Sequence, residues 1–195
     1  MYVYILGGFL GSGKTTLLIK LASMYAKRGQ KTAIIVNEAG DFGVDGSTLK
    51  ANGYDATELP NGCICCTLAG SLRTAMLEIE KDMNPDVVLI EPTGLAMPSK
   101  VKDIVQGSGV KEDGTYIIGL CDLKKFNALV QKREQFFKLQ LQDADFILMN
   151  KADLVGPEDI EKVDSWIRER FPGKKTMAVS IKDEDNMAAV YDLMR

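Results

Sequence analysis

The segment Gly8–Thr15 reads Gly-Phe-Leu-Gly-Ser-Gly-Lys-Thr and fits the pattern G-x-x-x-x-G-K-[ST] of phosphate-binding loops. It follows an apolar run and opens a stretch with helical spacing, which is the context that the pattern requires. Backbone N–H groups in such a loop and the positive end of the helix dipole attract phosphate. Lys14 supplies a charge for the β- and γ-phosphates, and Thr15 supplies a hydroxyl for Mg²⁺. The segment predicts a nucleoside triphosphate site cradled by Gly8, Gly11, Ser12, Gly13, Lys14, Thr15 and Thr16.

Two other interpretations of this loop are weaker. A glycine-rich turn with a surface lysine does not explain the strand before the loop and the helix after it. A dinucleotide-binding turn requires a third glycine where Thr16 stands. One branch of P-loop ATPases carries a second lysine early in the loop, and Phe9 occupies that position here. The composition of the loop therefore counts against that branch.

A second motif, Asn150-Lys151-Ala152-Asp153, follows a later predicted strand. The carboxylate of Asp153 can accept hydrogen bonds from N1–H and N2–H of guanine, whereas adenine presents an acceptor at N1. A site built to pair with donors discriminates strongly against the analogue that lacks them. Lys151 can lie either along the base or along the phosphate loop. Although four such letters recur by chance, their place after a strand and downstream of the loop predicts that Asn150 and Asp153 select guanine.

A third candidate is Glu91, which ends the apolar run Asp86–Glu91 and is followed by Pro92-Thr93-Gly94. A carboxylate at the end of a strand near the phosphate loop can hold the hydration shell of Mg²⁺. The N–H group of Gly94 can meet the γ-phosphate. The alternative is that Asp86 caps the strand and Glu91 is solvated.

The motifs do not contain the glutamine that commonly orients the attacking water in GTPases. Leu95 follows Gly94, so no glutamine stands there to orient the water. We hypothesise that Glu38 or Asp41, in the loop 37–45, performs this step. Normal hydrolysis by both Glu38→Ala and Asp41→Ala, with intact nucleotide binding, would exclude the hypothesis.

Three thiols, Cys63, Cys65 and Cys66, lie within four positions. Thiolates are soft ligands that suit Zn²⁺, Cu(I), Ni²⁺ or Co²⁺, and a turn can bring three of them together. Glu38, water or a thiol from a second protomer can complete the shell. Two alternatives stay open, namely three buried cysteines in a turn and a redox pair of Cys63 and Cys66. Cys121 stands in an apolar strand and is expected in the core.

The composition sets the class of protein. A chain of 195 residues with 46% hydrophobic and 26% charged residues is expected to form a single domain over residues 1–195. The net charge of −3 argues against nucleic acid as a partner. The absence of histidine excludes histidine-based catalysis and imidazole ligands to zinc. No apolar run approaches the ~18–20 residues that span a bilayer, and no basic segment precedes the apolar N terminus. We therefore expect a cytoplasmic protein without a membrane partner.

The elements that must position these motifs alternate along the chain. Short apolar runs predict strands at Tyr2–Leu6, Lys31–Asn37, Asp86–Glu91, Tyr116–Asp122, Asp145–Asn150 and Thr176–Ser180. Helical spacing predicts helices at Lys14–Arg28, Thr67–Asp82, Lys124–Leu141, Pro157–Phe171 and Asn186–Met194. This alternation is typical of an α/β fold with a mainly parallel sheet of six or seven strands and helices on both faces. The motifs then fall at the carboxyl ends of strands, where such sheets bind ligands.

The motifs together resemble the CobW/HypB/UreG group of SIMIBI-class P-loop GTPases, and most closely its CobW branch. The matching segments occur in the family order and cover roughly residues 1–181. They are 7–16, Asn37-Glu38-x-Gly40, Glu58-Leu59-x-Asn61-Gly62-Cys63-Ile64-Cys65-Cys66-Thr67-Leu68, Glu91-x-Thr93-Gly94-Leu95-Ala96 and Asn150-Lys151-x-Asp153-Leu154. The C-x-C-C signature is the most specific of them.

The resemblance implies Mg²⁺-dependent hydrolysis of GTP to GDP, coupled to delivery of a transition metal (Zn²⁺, Co²⁺ or Ni²⁺) or to assembly of a metallocofactor such as a corrinoid. It implies as partners a client metalloprotein or corrinoid protein and a nucleotide-dependent second copy. The chain departs from the family pattern at Pro92, where serine is usual, and in its lack of histidine. It stops where the C-terminal domain that CobW-type proteins usually carry is expected to begin.

The sequence leaves two other functions open as alternatives. A nucleotide-gated scaffold would dock on a metalloenzyme and hydrolyse GTP only incidentally, and the lack of a glutamine after Gly94 favours it. A small-molecule kinase would show no preference for guanine, and the Asn150–Asp153 motif argues against it. Intrinsic turnover is expected to be slow, because the motifs contain neither that glutamine nor an obvious arginine finger.

Overall fold

A computed structural model describes residues 1–36, 56–58, 67–94 and 96–194. Within them, seven strands form one sheet in which every pairing is parallel, in the spatial order β3-β2-β4-β1-β5-β6-β7. The strands are β1 (Tyr2–Gly8), β2 (Thr32–Val36), β3 (Ala56–Glu58), β4 (Val87–Glu91), β5 (Gly114–Asp122), β6 (Phe146–Asn150) and β7 (Lys175–Val179). The predicted α/β fold with a parallel sheet of six or seven strands is confirmed.

Helices cover both faces of the sheet. In the described part they are α1 (Lys14–Lys27), α2 (Thr67–Met83), α3 (Pro98–Gln106), α4 (Phe126–Leu141), α5 (Pro157–Arg170) and α6 (Glu184–Leu193). Helices α1 and α6 pack on one face, and α2 to α5 pack on the other. No helix in the described ranges is both long and apolar enough to cross a membrane.

Strand β1 shows how the sequence produces two cores. Successive side chains of a strand point to opposite faces. Val3 and Ile5 lie in the core beneath α2 to α5, whereas Tyr4 and Leu6 lie in the core beneath α1 and α6. Because both faces are buried, the strand is apolar throughout rather than alternating. Cys121 is fully buried in the first of these cores, as predicted.

The structure adds two elements that the sequence analysis missed and shifts the ends of the predicted ones by one or two residues. The sequence analysis missed α3, although Val101 and Val105 share one face and Pro98 occupies its first turn. It also missed β3, which has only three residues. The helix predicted from Lys124 begins at Phe126 instead, because the Asp122 side chain accepts a hydrogen bond from the Lys125 N–H at 3.1 Å and closes a separate 3-10 turn, Leu123–Lys125.

Candidate nucleotide-binding site

The site lies at the carboxyl end of β1, which runs between β4 and β5 near the centre of the sheet. Parallel α/β sheets bind ligands beyond this edge, since the loops that leave the strands converge there. A cleft of about 430 Å³ opens at this edge, which is within the roughly 300–1,000 Å³ of small-molecule sites. It is lined by Leu10, Gly11, Gly13, Lys14, Thr15, Thr16, Glu91, Asn150, Lys151, Asp153, Leu154, Ser180, Ile181 and Lys182.

The phosphate loop takes a conformation that only glycine permits at two of its positions. Gly8 has φ +137°, and a Cβ there would lie 2.6 Å from the carbonyl oxygen of Leu120. Gly13 has φ +107° and forms the N-cap of α1, and a Cβ there would lie 2.5 Å from Nδ2 of Asn150. With no side chain at the N-cap, the positive end of α1 faces the cleft directly. The pattern of glycines in the motif therefore follows from the close approach of the neighbouring strands.

Lys14 is buried against the loop that precedes it, with only 6% of its surface exposed. Its ammonium group donates hydrogen bonds to the carbonyl oxygens of Gly8 at 3.1 Å and Phe9 at 3.4 Å. Burial lowers the pKa of Lys14, and the carboxylate of Glu91 opposes that shift. An anionic phosphate in the cleft would stabilise the charged ammonium further, so the residue is suited to bind phosphate.

Thr15 and Glu91 meet at the same end of the cleft. The Thr15 hydroxyl donates a hydrogen bond to Oε1 of Glu91 at 2.9 Å, and Glu91 is half-buried. A hydroxyl and a carboxylate are oxygen ligands that Mg²⁺ accepts, so this pair fits magnesium. Asp86 begins the run Asp86–Glu91 and accepts a hydrogen bond from the Lys31 N–H at 2.8 Å. Asp86 therefore caps the strand, as the alternative interpretation expected. Glu91 is not a solvated strand end.

Gly94 lies beside the tip of the phosphate loop. A Cβ on Gly94 would be 3.6 Å from the backbone N of Leu10, and Leu10 itself is 78% exposed. The turn after β4 thus lies against the phosphate loop, next to Glu91, which lines the cleft. This is the side on which a terminal phosphate of a bound nucleotide would be expected.

At the other end of the cleft, Asn150 joins two backbone segments. Its amide Nδ2 donates to the carbonyl of Ser12 at 2.8 Å, and its Oδ1 accepts from the Ile181 N–H at 3.2 Å. Asn150 is 1% exposed, so the side chain holds the phosphate loop against the segment after β7. This anchoring role adds to the base selection that the sequence suggested, because Nδ2 carries a second hydrogen.

Lys151 lies along the phosphate loop. Its ammonium donates to the carbonyl of Gly11 at 2.8 Å and to Oδ2 of Asp122 at 2.6 Å. Asp122 ends β5 and is 1% exposed. The sequence analysis did not single out Asp122, and the available signal was a carboxylate at the end of an otherwise apolar strand.

Asp153 is exposed and lines the cleft, three residues after the buried Asn150. The segment Ser180–Lys182 lines the same cleft, and the sequence analysis missed it. Its position directly after β7, at the carboxyl edge of the sheet, was the signal that could have identified it. The segment Ser180–Lys182 therefore forms part of the cleft wall, against which a planar base could lie.

Five candidate residues of the sequence analysis lie outside the described residues, namely Glu38, Asp41, Cys63, Cys65 and Cys66, and so does Leu95. Their roles in metal binding and in positioning water stay predictions. Among residues 1–36, 56–58, 67–94 and 96–194, no group of three or more Cys, Asp or Glu side chains is arranged to hold a metal ion.

Comparison with known proteins agrees with this geometry. The profile of the family described as CobW/HypB/UreG, nucleotide-binding domain, matches residues 2–178. The zinc chaperone YeiR of Escherichia coli (strain K12) is 34% identical over 164 residues, which cover 83% of this chain and 50% of YeiR. The zinc-regulated GTPase metalloprotein activator 1 of Schizosaccharomyces pombe is 30% identical, with 98% of this chain and 48% of that protein covered. The chain thus spans about half the length of these relatives.

A solved structure shows the same fold. The hydrogenase maturation factor HypB from Archaeoglobus fulgidus superposes with a TM-score of 0.71 at 20% identity, covering 100% of this chain and 89% of that one. At this level of identity the likeness concerns the fold alone.

Proposed function

Because this chain belongs to the CobW/HypB/UreG nucleotide-binding domain family, we propose that it is a Mg²⁺-dependent GTPase that binds a transition metal and delivers it to a client metalloprotein. The observation that carries the proposal is the single cleft in which the phosphate loop and the Asn150–Asp153 motif meet. A phosphate cradle at one end and a carboxylate at the other match the two ends of a guanine nucleotide.

At the phosphate end, the chain's own groups neutralise and orient the triphosphate. The backbone of the loop cradles the phosphates, and Lys14 offsets charge on the bridge between the β- and γ-phosphates. Thr15 and Glu91 would hold Mg²⁺, which when bound neutralises charge on the β- and γ-phosphate oxygens. The Gly94 N–H can meet the γ-phosphate from the turn after β4, and Glu38 or Asp41 is proposed to position the water. Catalysis on this scheme rests on positioning and electrostatics.

At the base end, Asp153 selects guanine. Its carboxylate accepts hydrogen bonds from N1–H and N2–H, whereas adenine would leave it facing a lone pair. Asn150 bonds the backbones of Ser12 and Ile181, and Lys151 bonds the backbone of Gly11. These contacts fix the phosphate loop relative to the segment after β7. On this proposal guanine selection depends on the exposed carboxylate of Asp153, which Asn150 and Lys151 position through their backbone contacts.

The cargo site is assigned to the thiolates of Cys63, Cys65 and Cys66. Relatives named as zinc chaperones favour Zn²⁺ as the cargo, with Co²⁺ and Ni²⁺ as the other candidates. If the nucleotide state changes the affinity for metal, metal must change the affinity for GTP by the same factor. Clients on this proposal are metalloproteins or corrinoid proteins, and a nucleotide-dependent homodimer could supply a further ligand.

The proposal is tested by titrating the reduced protein with Co²⁺, read by thiolate-to-metal absorption, and with Zn²⁺ against a chelator. Each titration is run with GDP and with a non-hydrolysable GTP analogue. We expect tight binding that differs between the two states and is lost in the Cys65→Ser/Cys66→Ser variant. Cys121→Ala is the matched control, because that thiol lies in the core. Equal affinity in both nucleotide states would contradict the coupling, and retained binding in the double variant would contradict the site.

A second candidate is the nucleotide-gated scaffold, which the leucine after Gly94 favours. Single-turnover phosphate release from GTP, with and without Zn²⁺ or Co²⁺, separates it from the metallochaperone. A scaffold would release phosphate at a low rate that metal leaves unchanged. ATP serves as the base control in the same assay, and equal cleavage of ATP would contradict guanine selection.

A further inference from the structure

A buried glutamine lies behind the phosphate loop. Gln140, near the end of α4, is only 2% exposed. A buried side-chain amide is costly unless its donor and acceptor groups find partners. The partners of Gln140 therefore indicate why an amide occupies this position rather than an apolar side chain.

The amide of Gln140 bridges two segments that border the phosphate end of the cleft. Its Oε1 accepts a hydrogen bond from the Gly8 N–H at 3.1 Å, and its Nε2 donates to the carbonyl of Ala96 at 2.9 Å. Gly8 begins the phosphate loop. Ala96 closes the turn after β4, where its N–H donates to the carbonyl of Thr93 at 3.0 Å. One planar side chain thus joins the backbone of the phosphate loop to that of the turn after β4.

The surrounding packing leaves little space for these segments to shift independently. A Cβ on Gly7 would lie 2.7 Å from Cγ of Pro98 and 3.0 Å from the backbone oxygen of Gln140. One turn earlier on α4, Phe136 packs edge-on against Phe9, with ring centroids 5.7 Å apart. Residues four apart share a face of a helix, so α4 contacts both Gly8 and Phe9 with the same face. Close-packed contacts of this kind transmit small displacements.

We propose that Gln140 is a positioning residue that couples the phosphate loop to the backbone of Thr93, Gly94 and Ala96 after β4, so that both reach the arrangement needed to hold a γ-phosphate. This inference rests on the proposed GTPase function. Gln140 itself lies behind the loop and acts through the backbones of Gly8 and Ala96. Because GDP lacks the γ-phosphate that both segments would contact, the coupling should affect GTP much more than GDP.

The test compares three variants in single-turnover GTP cleavage and in binding of GDP and of a non-hydrolysable GTP analogue. Gln140→Met keeps the volume but removes both hydrogen bonds. We expect about a tenfold loss in the cleavage rate and in analogue affinity, as for one or two lost buried hydrogen bonds, with GDP affinity changed less than about threefold. Gln142→Met is the matched control on the exposed side of the same helix end, and it should behave as wild type.

Gln140→Glu separates hydrogen bonding from packing. A neutral carboxyl group accepts from Gly8 and donates to Ala96, as the amide does, whereas a carboxylate faces the Ala96 carbonyl without a proton to share. The cleavage rate of Gln140→Glu relative to wild type at the same pH should therefore rise as the pH is lowered, while Gln140→Met shows no such recovery. Circular dichroism and thermal unfolding establish that each variant is folded.

Equal losses of GDP and analogue affinity in Gln140→Met, or a pH-independent ratio for Gln140→Glu, would assign Gln140 a purely structural role and overturn the inference. If wild type cleaves no GTP, the proposed function fails instead. The comparison of analogue and GDP affinities still decides the role of Gln140 in that case.

Discussion

The two ends of the cleft are built differently. At the phosphate end, the groups that would meet the ligand are backbone atoms and buried side chains, such as Lys14 at 6% exposure. At the base end, where the Asn150–Asp153 motif lies, Asn150 is also buried but its amide already bonds the backbones of Ser12 and Ile181, whereas Asp153 is exposed. The phosphate end is therefore formed before the ligand binds. At the base end, the anchored Asn150 and Lys151 precede one exposed carboxylate, that of Asp153.

This difference indicates how affinity and specificity are divided. On the proposed function, preorganised backbone groups and a desolvated lysine would bind phosphate without regard to the base, because every nucleoside triphosphate presents the same phosphates. An exposed carboxylate contributes little to the fold, so it is available to discriminate between bases. Substitutions of groups that contact phosphate should weaken GTP and ATP alike, and substitutions at Asp153 should change which base is preferred.

The largest expected effect follows from removing the buried ammonium group. In Lys14→Ala, affinity for both GTP and GDP should fall by about 100-fold or more, since a charge-assisted contact to phosphate is worth about 1.5–3 kcal/mol and Lys14 serves more than one phosphate. Isothermal titration with both nucleotides measures the loss. Lys27→Ala, in the last turn of the same helix and exposed, is the control. A loss confined to GTP would show that Lys14 contacts only the γ-phosphate.

An intermediate effect is expected at the base end. In Asp153→Asn, affinity for GTP should fall about 10- to 100-fold, because the amide donor faces the N2–H group of guanine. Xanthine carries an acceptor at that position, so XTP affinity should rise. Thermal stability without nucleotide should stay at the wild-type value, since the side chain is exposed. Competition binding with GTP, XTP and ATP measures the change, with Asp192→Asn as the exposed control. An unchanged preference for GTP would contradict the assignment of Asp153.

The same contrast explains how much of the site could be predicted from the sequence. The phosphate loop, β1 and α1 form one continuous segment, so a local pattern was enough to identify them. Asn150 and Lys151 were found because they belong to a short motif, but their bonds to Ser12 and Gly11 required the tertiary structure.

Other parts of the site had no comparable local signal. Gln140 and Asp122 act through segments distant along the chain, and an isolated glutamine on a helix predicts nothing by itself. Helix α3 is short, and three-residue β3 depends on pairing with β2 rather than on its own composition. Long periodic elements were therefore predicted well, whereas side chains that bridge separate elements were not.

The smallest expected effect concerns the ion pair between Asp122 and Lys151. Asp122→Asn keeps an oxygen that can accept from the Lys125 N–H but removes the charge that holds Lys151 at 2.6 Å. Lys151 is partly exposed, with 28% of its side-chain surface accessible, so water can solvate it and the loss should be near 1 kcal/mol, less than about tenfold in affinity. Because Lys151 also bonds the Gly11 carbonyl, the loss should be equal for GTP and GDP and should leave the base preference unchanged. Titration of both nucleotides, compared with Asp153→Asn, measures it. A switch in base preference would instead show that Lys151 contacts the base. Base selection would then not depend on Asp153 alone.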